Sequence, residues 1–96
     1  MQATPGVGSI MVTWAACGEK GITLLDGYYV EWRKAGDPGW IGSWNHVSNG
    51  ESFAITGLNY SNTFAGGGTF EIRVTATDDG NPVSSGEYKV ITITIE

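Results

Sequence analysis

From Phe70 to Thr77 apolar and polar side chains alternate without a break. Phe70, Ile72, Val74 and Ala76 fall on one side, and Glu71, Arg73, Thr75 and Thr77 on the other. A repeat of two is that of an extended strand, whose successive side chains point to opposite faces; a helix cannot sort such a sequence into one apolar stripe. The segment must therefore be a strand with one buried face, and something apolar has to cover that face. The alternation recurs along the chain. Ile10, Val12 and Trp14 oppose Met11 and Thr13, while Tyr28, Val30 and Trp32 oppose Tyr29, Glu31 and Arg33. Near the end, Ile91, Ile93 and Ile95 oppose Thr92 and Thr94.

Turn chemistry separates these runs. Thr4-Pro5-Gly6 with Gly8, Ala35-Gly36-Asp37-Pro38-Gly39, Asn49-Gly50 and Asp78-Asp79-Gly80-Asn81-Pro82 all carry residues that reverse a chain. Ser52 to Thr56 reads as a further strand, and Trp40 to Val47 as a short edge strand. Asn59 to Gly68 reads as a loop of about ten residues, with nothing helical predicted anywhere. Fifteen glycines and abundant Thr, Ser and Val fit this picture, and the strong helix formers Leu and Ala are sparse. The expected fold is a single all-β domain over residues 1–96, a two-sheet antiparallel β-sandwich of about seven strands with a shortened first strand. Its expected core is Trp14, Tyr28, Val30, Trp32, Ile55, Leu58, Phe70, Ile72 and Val74.

Charge narrows the partners. Ten acids against five scattered bases give a net charge of -5, whereas a nucleic-acid binder needs a basic patch to displace counterions from phosphates. An anionic membrane surface is disfavoured for the same reason. No apolar run reaches the roughly 18 residues of a spanning helix, so no membrane insertion is expected. Cys17 is the single cysteine, which excludes an intrachain disulfide; a buried free thiol is the expectation, with an intermolecular bridge as the alternative. No secretory signal precedes Gln2, so the chain is expected to be either cytoplasmic or a domain cut from a longer parent.

The order and spacing of four segments resemble the fibronectin type III family, a set of immunoglobulin-like sandwiches. Ala3-Thr4-Pro5-Gly6 with Ser9-Ile10-Met11-Val12-Thr13-Trp14 resembles that family's first turn and second strand with its core tryptophan. Leu25-Asp26-Gly27-Tyr28-Tyr29-Val30-Glu31-Trp32-Arg33 is similar to its third strand. Ile55-Thr56-Gly57-Leu58 looks like the end of its fifth strand, and Phe70-Glu71-Ile72-Arg73-Val74-Thr75-Ala76 like its sixth. There are departures. The first strand is clipped, which predicts that the strand Ser9–Trp14 is left with unpaired backbone groups. The loop before Phe70 is long, and Phe70 stands where the family usually has a tyrosine whose hydroxyl bonds backbone.

The resemblance implies a non-catalytic module of an extracellular or cell-surface protein, secreted with neighbouring domains of a longer parent chain. Its implied role is that of a spacer and a protein or ligand interaction surface. The alternative is a carbohydrate-binding module, an accessory to a polysaccharide-degrading enzyme. The ligand-contact candidates are Trp40, Trp44 and Tyr60. Even spacing puts Trp40 and Trp44 on one strand face, where their rings can stack on sugars or on a partner's side chains, although covering the sheet edge is the commoner use of such residues.

No cofactor, metal or catalytic group is expected. His46 is the only histidine and lacks a nucleophile and acid nearby in sequence, and with Cys17 it makes too few soft ligands for zinc. Asp78-Asp79-Gly80-Asn81 has oxygen ligands but not the spacing of a calcium loop. Asn59-Tyr60-Ser61 fits the glycosylation pattern.

Overall fold

The computed structural model describes residues 1–14, 25–46, 50–78, 81–82 and 88–95. These form strands β1 (Gln2–Gly6), β2 (Ser9–Thr13), β3 (Leu25–Lys34), β4 (Ile41–His46) and β5 (Ser52–Ile55). Helix α1 (Gly57–Thr63), β6 (Gly68–Asp78), β7 (Asn81–Pro82) and β8 (Tyr88–Ile95) follow. Cys17 and most of the Asp78–Pro82 turn lie outside the described residues or side chains, as does the side chain of His46.

Two antiparallel sheets build a small β-sandwich, as the alternation predicts. One sheet runs β1-β2-β5. In the other, β4 pairs with β3 and β3 with β6, while β7 and β8 follow one another along the remaining edge of β6. Five strands thus occupy four positions. β3 and β6 are in register from Gly27↔Thr77 to Lys34↔Phe70, with an irregularity between Leu25 and Gly27.

The inward-facing residues make one core cluster. Ile10 and Val12 of β2, Tyr28, Val30 and Trp32 of β3, Ile55 of β5, and Phe70, Ile72, Val74 and Ala76 of β6 are fully buried. Trp14 is also buried and meets Tyr28 edge-on at 5.2 Å between ring centroids. Each of the larger aliphatic and phenyl side chains among them contributes about 1.5–3 kcal/mol through water released from apolar surface.

Three expectations are corrected. The first strand, although short, pairs with β2 along its whole length, from Gln2↔Thr13 to Gly6↔Ser9, so β2 is a central strand without a bare edge. Pro5 sits in this ladder opposite Ile10; β1 is the sheet's outer strand, the place where a residue with no N–H is tolerated. Second, the segment after β5 is not all loop but contains α1. The Phe64 amide donates to the Tyr60 carbonyl at 2.7 Å, and the two rings, one helical turn apart, stack at 5.7 Å. Gly67, at φ 74°, then bends the chain into β6. Third, Leu58 is not a core residue. It lies on the solvent side of α1, 75% exposed, and Phe64 fills the core in its place, fully buried and 4.6 Å from Phe70.

Candidate interaction face

The described inner positions of β3 and β6 are apolar, so the charged chemistry of these two strands lies on the outer face. There Tyr29, Glu31 and Arg33 of β3 stand beside Thr75, Arg73 and Glu71 of β6, pair by pair. Both opposite-charge pairs close. Arg33 Nε donates to Glu71 Oε1 at 2.8 Å, and Arg73 donates to Glu31 Oε1 through Nε at 3.1 Å and Nη2 at 3.0 Å. A further bond from Arg33 Nη1 reaches the Asp37 carbonyl at 2.9 Å and ties the β3–β4 turn to the sheet. The four side chains are about one quarter exposed, and cross-strand pairs of this kind contribute about 0.2–1 kcal/mol each.

On the other side of β3, Trp44 is opposite Tyr29 and Gly42 opposite Glu31. The alternation of β4 carries the same face on to Trp40, so the two tryptophans do share it. Their Cα atoms are about 13–14 Å apart along an extended chain. Their surroundings differ. The guanidinium carbons of Arg33 and Arg73 stand 4.2 and 4.3 Å from the centroid of the Trp40 ring, so Trp40 braces both ion pairs. Trp44 instead lies against Gly27, where an added Cβ would come within 2.9 Å of Cζ2 and 3.0 Å of Cε2. Glycine is what lets the indole settle on the sheet. Trp44 keeps 38% of its surface exposed, against 6% for Trp14 and none for Trp32, while Trp40 is half-buried.

Tyr60 does not join this face, because its ring is taken up by Phe64 beneath α1. Asn59 is exposed on the same helix. A shallow depression of about 210 Å³ separates the β3–β4 turn from α1, with Arg33, Asp37, Ile41 and Thr63 among its walls. Among the described residues no three His, Cys, Asp or Glu side chains gather as a metal site. None of the described helices is long and apolar enough to cross a membrane.

Sequence reading missed Asn45, which is buried on the inner side of β4 and donates through Nδ2 to the Gly50 carbonyl at 3.0 Å. Beside it the Tyr28 hydroxyl donates to Glu51 Oε2 at 3.3 Å, and the Trp14 amide to the Glu51 carbonyl at 3.1 Å. Gly50 and Glu51, just ahead of β5, are thereby bonded to both sheets, next to the Trp44 end of β4. A polar residue on an inward position of an edge strand was the available signal.

No family model matches the chain, and no curated protein matches it.

The different seats of the two tryptophans predict different losses. Trp40→Ala removes two cation–π contacts and exposes both ion pairs, and is expected to lower unfolding free energy by about 1–2 kcal/mol. Trp44→Ala is expected to cost less than about 1 kcal/mol. Urea melts of the two variants beside the parent check this ordering.

Proposed function

We propose that the domain is a non-catalytic module of a larger extracellular or cell-surface protein, akin to fibronectin type III domains. It acts as a rigid spacer and meets a partner on the outer face of its larger sheet. The carrying observation is Trp44, the most exposed of the four tryptophans, held on the outer strand β4 against Gly27 of β3 rather than on a loop. A large aromatic residue on a rigid strand offers contact area at small entropic cost, which is why tryptophan is favoured at the centre of binding surfaces. The kinship rests on the four sequence segments, and the two-sheet order is compatible with it. A spacer role suits a molecule extended over 40 × 26 × 19 Å.

A contact surface of this kind is tested on intact cells and extracellular matrix of the source organism with the fluorescently labelled domain. The wild type is expected to be retained, and Trp44→Ala to be retained about three- to tenfold less, a difference of about 0.7–1.4 kcal/mol. Equal retention of the two, or none for either, would remove this face as the contact surface.

A further inference from the structure

The chemistry of the face selects among partners. The four charges among its described side chains are spent on one another: Arg33 on Glu71 and Arg73 on Glu31. Both guanidiniums are also stacked against Trp40. An acidic ligand therefore meets no available cation from this pair of arginines, and it approaches a chain of net charge -5. A basic ligand would have to separate Glu31 and Glu71 from the arginines that hold them. Besides these charges the face presents the exposed surface of Trp44, with the half-buried Tyr29 and Thr75 in the same row across β3 and β6, and the exposed aliphatic Val90 of β8 beside Arg73. An indole ring face is electron-rich and attracts weakly positive C–H groups laid against it. Flanking hydroxyls of Tyr29 and Thr75 are both donors and acceptors.

We propose that this face binds an uncharged glycan, with the C–H face of a pyranose ring stacked on Trp44 and its hydroxyls toward Tyr29 and Thr75. This rests on the reading that the outer face is the contact surface. A sugar whose hydroxyls are equatorial, as in β-1,4-linked glucose or N-acetylglucosamine, exposes axial C–H groups on both faces and satisfies this chemistry best. Among the described residues no wall encloses the face, so internal units of a long chain are accommodated as readily as its ends. Trp40 takes no part in stacking and serves as the brace that keeps the arginines occupied.

The test is a titration of the ¹⁵N-labelled domain with cellohexaose, chitohexaose and, as the acidic counterpart, hexagalacturonate. At least one neutral hexasaccharide is expected to shift the Trp44 indole N–H and the Gly27, Tyr29 and Gly42 amides saturably. Trp44→Ala should weaken that binding about three- to tenfold, the range of an aromatic stacking contact. Trp44→Tyr, which keeps a ring, should restore part of it, and each variant's own spectrum reports whether it is folded. Silence with both neutral sugars, tighter binding of hexagalacturonate, or unchanged affinity in Trp44→Ala overturns the assignment. Retention on cells through Trp44 without any response to the sugars would defeat the glycan while leaving the contact surface standing. Retention that ignores Trp44 would defeat the reading beneath both.

Discussion

Trp32→Ala is expected to lower the unfolding free energy by about 3–5 kcal/mol, within reach of the whole stability of a small domain. Trp32 is fully buried on β3, the strand between β4 and β6, and its ring stacks on Phe53 of the opposing sheet at 6.1 Å. Truncation leaves a cavity spanning both sheets, and neither can close on it without breaking strand register. The indole N–H has no hydrogen-bond partner among the described residues, a state that costs about 1–3 kcal/mol. Trp32→Phe sheds that burden along with some volume, and is expected to lose much less than Trp32→Ala. Chemical denaturation of the three proteins decides it. An alanine variant with an unchanged midpoint would contradict the packing described.

Phe64→Ala is expected to cost a similar amount, about 3–5 kcal/mol, whereas Leu58→Ala should stay within about 0.5 kcal/mol of wild type. The two residues exchange the roles that their order suggests. Leu58 stands on the outward side of α1, and Phe64, just past the helix, lies between Tyr60 and Phe70. Removal of Phe64 also leaves Tyr60 without its stacking partner, so α1, which has no buried residue of its own, loses its hold on the core. Thermal melts of the pair give the contrast, and equal losses would argue against this arrangement.

Much of the fold was legible because alternation and burial are the same physical fact. In Tyr28–Trp32 and Phe70–Ala76 every second residue is apolar, and a one-residue slip would turn them all outward. α1 was not legible. Asn59-Tyr60-Ser61-Asn62-Thr63 is made of weak helix formers that serve equally well in turns, and only the Tyr60–Phe64 spacing hinted at a helical turn. The pairing of β1 was obscured by Pro5, which argues against a central strand but not against an outer one.

The candidate face was half legible. Even spacing put Trp40 and Trp44 on one side of β4, yet nothing in their neighbourhood in the chain distinguished them. That distinction comes from β3 and β6, which bring Gly27 beneath one ring and Arg33 and Arg73 beside the other.

The pairing of β3 with β6 also sets the tempo of folding. These strands hold the centre of the larger sheet and both ion pairs, but the chain from Ala35 to Gly67 must close as a loop before they meet. The entropy of that closure is lost before any of the contacts forms, and pairing across such a separation is intrinsically slow. The β1–β2 hairpin closes through only Val7 and Gly8 and can assemble quickly, but it has little to pack against until the larger sheet exists. The domain therefore concentrates its kinetic barrier in the two strands on which the outer face, completed by β4, is built. A newly made chain has no such face until that barrier has been crossed.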